Sequence, residues 1–262
     1  MYREEKLLYA RFSMEKNSLR KNLIRIWQTV SVTDGSPVVT FDTEVDWNES
    51  KKMLRTAFYT NISTDNVTCD IQYGTVSRPT HNNTTWDMAK YEICAHKYVD
   101  LSENSYGVAL MNDCKYGHYV KDGVMDLNLL RSPDYPGEAA DIAMHSFKYA
   151  FYPHNCNFAN SDVIHKSYEF NQAMQFGNKI NQFVKLSNSD VIIESIKKAE
   201  DSNAVIIRMY ESKGEAAEAA LIFDRKIKSA HIVDLTENNE KAVNLDLIKL
   251  GKFEIVTIKV EL

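Results

Sequence analysis

Three carboxylates at alternate positions, Asp42, Glu44 and Asp46, are the first residues of this chain that could do chemistry together. The run 39–47 alternates strictly in polarity, and this period of two predicts a half-buried strand. Alternate strand residues lie about 6.5 to 7 Å apart, close to the separation of about 5 to 5.5 Å that paired-carboxylate catalysis uses. An acidic solvent face is the simpler interpretation, because alternation places one set of side chains in water by default.

Histidine and cysteine side chains form two candidate metal-ligand pairs, Cys114 with His118 and His154 with Cys156. The seven histidines include no HExxH motif, and the four cysteines follow neither a disulfide-framework nor a CxxC spacing. Two ligands do not make a metal site, so the sequence assigns none. It also lacks the GxSxG motif of a nucleophilic serine and the glycine-rich loops that bind phosphate.

Composition describes an ordinary globular protein of 262 residues, with 44% hydrophobic, 11% aromatic and 26% charged residues. The net charge of -5 argues against a nucleic-acid binder, which needs a basic face. No apolar run approaches the roughly 20 residues that cross a bilayer, and the start of the chain has no signal-peptide pattern. Irregularly spaced cysteines predict reduced thiols, so we expect a cytoplasmic protein that contacts neither membrane nor nucleic acid.

Most of the chain consists of predicted strands separated by turn-forming clusters. Strand-like runs in the first part span 23–32, 39–47, 68–75, 90–98, 106–112, 124–130 and 146–152. Asp34-Gly35 and Asp122-Gly123 stand where hairpin turns are expected. Because no helical period separates these runs, the pattern favours antiparallel sheets over a βαβ fold.

A second, smaller group of strand-like runs spans 191–196, 204–210, 217–223, 230–235, 245–250 and 253–260. Their number and spacing predict an immunoglobulin-like sandwich, although the alanine-rich residues 216–220 leave a helix open there. Residues 165–185 are polar and weakly periodic, which indicates a connector. The predicted domains are a large β-sandwich over 1–165, a connector over 166–184 and a small terminal β-sandwich over 185–262.

Five motifs occur in succession between residues 44 and 154: EVDWNE, RPTHNNTTWD, AHKYVDLSENSYGVALMNDCKYG, LLRSP and FKYAFYPH. Together they resemble the C-terminal half of family 38 glycoside hydrolases, the retaining α-mannosidases, and especially their cytosolic and bacterial branch. The resemblance is continuous from about Ser36 to His154 and softer on both sides. It implies an all-β fold, with a galactose-mutarotase-like supersandwich followed by a smaller sandwich.

The resemblance also implies an accessory role. The family's catalytic barrel, with its zinc ion and its nucleophilic aspartate, lies upstream of every motif present here. We therefore assign no nucleophile, no acid/base residue, no metal ligand and no cofactor to this chain, and expect zinc in the catalytic domain. The expected function is the C-terminal portion of an enzyme that hydrolyses α-mannosides, with that catalytic domain and a mannose-containing carbohydrate as partners.

Arg131, in LLRSP, is the first candidate for substrate binding, because the resemblance places a substrate-side arginine after this strand. A guanidinium group can hold sugar hydroxyls in a fixed orientation. Asp113, Lys115 and Tyr116, in the NDCKYG turn, are the second candidates. A strand-end ion pair stays open for Arg131, as do purely structural roles for the other residues.

Two other functions stay open. The chain could be a free-standing carbohydrate-binding sandwich, in which Trp86 would offer a stacking face while Trp47 belongs to the core. Alternatively it could be a structural module that forms a homo-oligomer. An apolar face left uncovered by an absent catalytic domain would favour such self-association, because exposed apolar patches mark interfaces.

Overall fold

The computed structural model describes residues 7–17, 23–137, 140–172 and 182–262. These residues fall into two units. The first is drawn from Met1–Ile71 and Val76–Met174, and the second from Gln72–Thr75 and Gln175–Leu262. Part of the predicted connector, residues 173–181, lies outside the described residues.

Strands dominate residues 7–154. In chain order they are β1 Leu7–Asn17, β2 Leu23–Thr33, β3 Val39–Trp47, β4 Met53–Tyr59, β5 Asn66–Ile71, β6 Gly74–Pro79, β7 Ile93–Cys94, β8 Tyr98–Ser102, β9 Gly107–Asn112, β10 Gly117–Lys121, β11 Val124–Arg131 and β12 Ala143–His154. The helical elements in the described residues up to 172 are helix α1 Thr85–Ala89, a 3-10 turn Phe158–Asn160 and helix α2 Val163–Asn171.

Two antiparallel sheets form the first unit. One has eight strands in the order β1-β2-β3-β12-β9-β8-β5-β6, and the other has four in the order β4-β11-β10-β7. Both sheets contribute to one hydrophobic core, as shown by Val45 and Trp47 of β3 packing in the same cluster as Met125 and Leu127 of β11. The predicted large antiparallel β-sandwich is therefore confirmed.

The local patterns explain why these strands form where they do. The β3 strand covers the predicted run 39–47, and its odd-numbered residues Val45 and Trp47 are buried. Asp34-Gly35 joins β2 to β3, which pair from Val32 opposite Val39. Between β10 and β11, Gly123 has a φ of +74°, and a Cβ there would lie 2.6 Å from the carbonyl oxygen of Thr60. This turn therefore requires glycine.

Two predicted strands are interrupted. The run 68–75 divides into β5 and β6, because the chain turns at Gln72 and Tyr73, and Tyr73 has a φ of 56°. The run 90–98 forms only the two-residue β7 before β8 begins at Tyr98. Lys90 and Glu92 are exposed there, so this polar segment lacks the burial that a longer strand would need.

Helix α2 is an element that the sequence patterns did not predict. It occupies residues that we interpreted as the end of the large sandwich and the start of the connector. Val163, Ile164 and Ser167 are buried on one side of it, and α2 contacts β9. A buried face of only three small or medium residues is too short to give a clear period of 3.6 in the sequence.

The second unit consists of β13 Val184–Leu186, β14 Val191–Lys198, β15 Val205–Glu211, β16 Ala217–Ala219, β17 Leu221–Phe223, β18 Ser229–Val233, β19 Lys241–Ala242, β20 Ile248–Leu250 and β21 Ile255–Glu261. A five-stranded sheet has the order β14-β15-β21-β18-β19, and the pairs β13-β17 and β16-β20 lie apart from it. One core includes Ile207 and Ile258 from the five-stranded sheet with Leu221 and Ile248 from the two pairs. This is the smaller sandwich that the sequence predicted.

The helix left open at residues 216–220 is not formed, since Ala217–Ala219 is strand β16. Cross-strand pairing decides this, because β16 lies antiparallel to β20 with Ala219 opposite Ile248. Among the described residues, no helix has both the length and the apolar character that a membrane span requires.

Candidate functional site

The turn that follows β9 carries three of the predicted site residues, Asp113, Lys115 and Tyr116. Its shape is set by Asn112, which is buried at 1% exposure. The Asn112 side chain accepts a hydrogen bond from the backbone N–H of Lys115 at 2.6 Å and donates one to the carbonyl of His96 at 2.8 Å. A single buried amide thus closes the turn and ties it to the segment before β8.

Asp113 joins this turn to β12. Its Oδ2 accepts a hydrogen bond from the backbone N–H of Lys148 at 2.9 Å, and its own N–H donates to the Lys148 carbonyl at 3.2 Å. Burial, together with a hydrogen bond to Asp113, raises the pKa of the neighbouring Cys114 thiol to about 11. The two hydrogen bonds between Asp113 and the Lys148 backbone therefore hold the turn against β12.

Lys115 and Tyr116 leave the turn as separate side chains. The Lys115 ammonium lies 4.5 Å from the centre of the Phe147 ring, which is a favourable cation–π distance. Tyr116 is 52% exposed, and its ring centre lies 4.9 Å from that of His96. Both side chains are therefore restrained by aromatic neighbours, while Tyr116 keeps a large accessible surface.

A buried polar network holds the segment before β8, to which the turn is tied. Asp70 is 3% exposed and accepts hydrogen bonds from the backbone N–H of Lys97 at 2.9 Å and from its ammonium at 3.2 Å. Burial raises the pKa of Asp70, and the Lys97 charge opposes that rise. From α2, Asn171 donates to the carbonyl of Asn112 at 3.1 Å.

These supporting residues were missed from the sequence. Asn112, Asp70 and Asn171 are polar residues whose partners are distant in the chain, so no local pattern marks them as a set. Only Asn112 carries a usable signal, because an asparagine two or three residues before a turn amide commonly accepts from that amide.

Arg131 occupies the last position of β11, in the four-stranded sheet. Met125, Leu127 and Leu129 point to the core, so strict alternation would send the side chain of residue 131 inward as well. A β-bulge between Asn128 and Leu130 shifts the register, so that Leu130 is buried and Arg131 is exposed. The bulge therefore re-aims the guanidinium outward.

Ser132 anchors the chain immediately after Arg131. It is 1% exposed, its Oγ accepts a hydrogen bond from the Trp47 indole N–H, and its backbone pairs with Lys51 and Lys52. Within the described part of the chain, Arg131 has no ion pair, and no hydrogen bond joins it to Asp113, Lys115 or Tyr116. The structure thus brings the three turn residues together and leaves Arg131 at a separate strand end.

The acidic face of β3 behaves as an ordinary surface. Asp42 forms an ion pair with Lys148 at 3.0 Å, and Asp46 accepts a hydrogen bond from Asn48 at 3.0 Å. Glu44 between them is exposed. Two of the three carboxylates hold surface partners and the third stands in water, as on an ordinary polar strand face.

The RPTHNNTTWD motif forms a capped turn. Thr84 and Asp87 make a capping box for α1, in which each side chain binds the backbone N–H of the other residue. Arg78, His81 and Asp87 are among the residues that line a cleft of about 130 Å³ beside it. Trp86, on α1, is 79% exposed.

Neither candidate ligand pair forms a metal site. His118 is fully buried, whereas Cys114 is exposed. Cys156 Sγ lies 3.7 Å from Nδ1 of His154, whose Nε2 lies 2.7 Å from Asp100, so this pair offers two ligating atoms, which do not make a site. In the described ranges, no three or more histidine, cysteine or acidic side chains are grouped so that they could hold a metal ion.

Comparison with known proteins covers both sandwiches. The sequence matches the family model for the glycosyl hydrolases family 38 C-terminal domain over residues 4–139. It also matches the model for the glycosyl hydrolases family 38 C-terminal beta sandwich domain over residues 190–258.

Individual relatives match nearly the whole chain but only part of themselves. Alpha-mannosidase G of Dictyostelium discoideum is 36% identical over 249 residues, which is 88% of this chain and 23% of that protein. Alpha-mannosidase 2C1 of Mus musculus is 37% identical over 233 residues, 85% of this chain and 22% of that protein. The chain therefore spans less than a quarter of the length of these curated relatives.

A solved structure shows the same fold. The crystal structure of a protein in the glycosyl hydrolase family 38 from Enterococcus faecalis matches with a TM-score of 0.77 at 18% sequence identity. The match covers 92% of this chain and 30% of that one.

Proposed function

The chain belongs to the glycosyl hydrolase family 38 C-terminal domain family, and on that premise we propose that it is the C-terminal accessory portion of a retaining α-mannosidase. The observation that carries the proposal is coverage, since 85 to 88% of this chain matches only 22 to 23% of each relative. The hydrolysis of α-mannosides would take place mainly on a catalytic domain of the same enzyme. This portion would support that domain and contribute side chains to its carbohydrate pocket.

Within this proposal, Arg131, Asp113, Lys115 and Tyr116 bind the mannose-containing substrate. Arg131 is exposed at a strand end fixed by buried Ser132, so its guanidinium can donate to sugar hydroxyls from a defined position. Lys115 offers a restrained ammonium, and Tyr116 an accessible ring face. Asp113 accepts from the Lys148 backbone N–H through Oδ2, and a carboxylate can accept further hydrogen bonds from sugar hydroxyls.

Zinc, in this proposal, belongs to the catalytic domain outside the chain. The described residues hold no group of three or more ligating side chains, so they do not fit a zinc ion and no step is assigned to one here. A cytoplasmic location and a role in mannose metabolism complete the proposal. The free thiols of Cys69, Cys94, Cys114 and Cys156 support a reducing compartment.

Homo-oligomerisation of the isolated chain is also proposed. In the first unit, the large side chains of Tyr59, Trp86 and Tyr91 are 82%, 79% and 78% exposed. Exposed aromatic side chains mark an interface where they join into one patch, and such an interface would bring copies of the chain together. Light scattering should show self-association that grows with concentration, and a monomer at every concentration would remove this part of the proposal.

The activity of the isolated chain tests the accessory role. We expect no turnover of an aryl α-mannoside by the purified 262-residue chain, with or without added zinc. Turnover would show that the reaction centre lies in this chain. Titration calorimetry with mannose distinguishes the accessory role from a free-standing carbohydrate-binding sandwich. Strong binding of mannose by the isolated chain would indicate the free-standing sandwich.

The site is tested in a chimera in which this chain replaces the matching C-terminal stretch of the Dictyostelium alpha-mannosidase G. We expect Arg131→Ala to lower kcat/KM by about 10- to 100-fold, since a hydrogen bond from a charged group contributes about 1.5 to 3 kcal/mol. Arg225→Ala is the matched control, because Arg225 is an exposed arginine that pairs with Asp224 in the second unit. Equal activity of the two variants would refute the role of Arg131.

A further inference from the structure

A thiol, an imidazole and a carboxylate lie in sequence at the end of β12. Cys156 Sγ is 3.7 Å from Nδ1 of His154, and Nε2 of the same ring is 2.7 Å from Oδ2 of Asp100. His154 ends β12 and Asp100 is in β8, so two strands of the large sheet hold the pair. The proposed function uses none of these groups.

The imidazole and carboxylate are deeply buried. The side chain of His154 is 3% exposed and that of Asp100 is fully buried. Ser102 donates to Oδ1 of Asp100 at 2.7 Å, while the Ser102 hydroxyl accepts from the N–H of Phe158 at 3.1 Å. Each carboxylate oxygen therefore has its own donor, and the carboxylate cannot rotate without losing one of them.

Glycine at position 107 lets the ring fit. A Cβ at Gly107 would lie 2.3 Å from Cε1 of His154 and 2.4 Å from Cβ of Ser102. His154 thus packs directly on the backbone of β9, and its orientation is fixed by contact as well as by hydrogen bonding. The ring can present only Nδ1 to Cys156.

The buried charge of Asp100 determines which group can take the Cys156 proton. In the described part of the chain, no lysine or arginine lies within ion-pair distance of Asp100, so His154 is the group that can offset its buried charge. Transfer of the Cys156 proton to Nδ1 would give an imidazolium held between a thiolate and a carboxylate. This is the arrangement by which a base oriented by a third group activates a nucleophile.

We propose that Cys156 is a nucleophilic thiol, activated by His154 and positioned by Asp100, and that it is a modification site for small disulfides. The Cys156 proton passes to Nδ1 of His154, and the thiolate attacks one sulfur of the disulfide. A new S–S bond forms as the old S–S bond breaks, and the departing thiolate takes the proton from His154. Cys156 is oxidised to a mixed disulfide, and half of the reagent is reduced to a thiol.

The other cysteines provide internal standards. Cys94 is exposed and has no such pair of neighbours in the described structure. Cys114 is exposed, but its pKa is raised to about 11. Cys69 is buried, which raises its pKa to about 12, so it reports whether the fold is intact.

The test is the rate of iodoacetamide labelling at each cysteine at neutral pH, followed by peptide mass spectrometry. We expect Cys156 to react about tenfold faster than Cys94, because an ordinary thiol is only a few per cent thiolate at this pH. Glutathione disulfide should form its first mixed disulfide at Cys156, and Cys156→Ser should abolish that product. Faster labelling of Cys94 or Cys114 than of Cys156 would overturn the proposal.

Asp100→Asn tests the positioning role, since asparagine keeps the size of the side chain and removes its charge. The Cys156 rate should fall to that of Cys94, while Cys94 and Cys114 keep their rates and Cys69 stays unlabelled. An unchanged Cys156 rate would remove Asp100 from the mechanism. If Cys69 becomes labelled in this variant, the substitution has disturbed the fold. The proposal is then decided by the order of the labelling rates of Cys156, Cys94 and Cys114 in the unaltered chain.

Discussion

His118 shows how a single residue can make this fold sensitive to acid. It is fully buried in β10, opposite Leu127 and Ile93, and neither ring nitrogen has a hydrogen-bond partner in the described structure. Burial alone lowers its pKa from 6.5 to about 4. The folded state therefore keeps His118 neutral at pH values where the unfolded chain binds a proton.

The sign of the pH effect follows from this difference. Above pH 6.5, His118 is neutral in both the folded and the unfolded chain and costs no stability. As the pH falls from 6.5 towards 4, the unfolded chain binds a proton that the folded chain does not, so the free energy of unfolding decreases progressively. We expect this residue to remove about 2 kcal/mol from the free energy of unfolding between pH 7.5 and 5. His118→Leu should remove that part of the pH dependence, as measured by urea unfolding at both pH values.

A matched core substitution provides the control. Met125→Leu changes a fully buried residue of the same sheet without changing a titratable group, so it should keep the wild-type pH dependence. The account of His118 fails if His118→Leu and Met125→Leu lose stability equally between pH 7.5 and 5.

Glu211 is the residue on which a loop of the second unit depends. It is 1% exposed, and its carboxylate accepts from the backbone N–H groups of Lys213 at 2.6 Å, Glu215 at 3.1 Å and Phe253 at 2.9 Å. Glu211→Ala leaves these amides without partners, so we expect a loss of about 2 to 4 kcal/mol in urea unfolding. Glu218→Ala, at an exposed pair with Lys249, should change little, and equal losses would contradict the role of Glu211.

At the level of single residues, the environment of a side chain was harder to predict than the strand that carries it. The resemblance singled out Arg131, but alternation from Met125 would have placed its side chain in the core. The bulge after Asn128 reverses that direction, and no local residue signal reveals a bulge of this kind. Buried polar partners such as Asp70 were equally hidden, because their contacts join distant parts of the chain.

Helix α2 is joined to the turn after β9 by one residue, Asn171. Asn171, at its end, donates to the carbonyl of Asn112 at 3.1 Å and to that of Ser167 at 2.9 Å. The helix thereby holds the start of the turn that carries Asp113, Lys115 and Tyr116. Without this contact the turn would depend on the Asn112 amide and on β12 alone.

Asn171→Ala should therefore loosen the turn. We expect a loss of about 1 kcal/mol in urea unfolding and faster alkylation of Cys114, which lies in the turn. Glu169→Ala is the control on the same helix, because Glu169 is 65% exposed in its pair with Lys166. Equal Cys114 alkylation rates in the two variants would show that α2 does not hold the turn.

Elements with a strong period were predictable and weakly patterned ones were not. Strand β3 has the predicted bounds because five residues of one face alternate with polar ones throughout. Strand β7 and helix α2 each bury few side chains, so their local sequence resembles that of a loop. Their existence depends on pairing with β10 and on packing against β9, which are contacts between distant residues.

For the whole molecule, the all-β fold with a large and a small sandwich was predictable from strand count, turn residues and the motif resemblance. The predicted domain limits at 165 and 185 stay a prediction. The candidate binding residues stay a prediction as well, because no contact within the described residues shows what Arg131, Asp113, Lys115 and Tyr116 bind. The residues of each sandwich form its own hydrophobic core, whereas the function depends on the molecules that the exposed residues contact.

Activity of the Dictyostelium chimera is the most direct test of the accessory role. Removal of the matching stretch from alpha-mannosidase G should abolish hydrolysis of an aryl α-mannoside, and replacement by this chain should restore it. A chimera that folds, as judged by circular dichroism and gel filtration, and yet is no more active than the truncated enzyme would contradict the account.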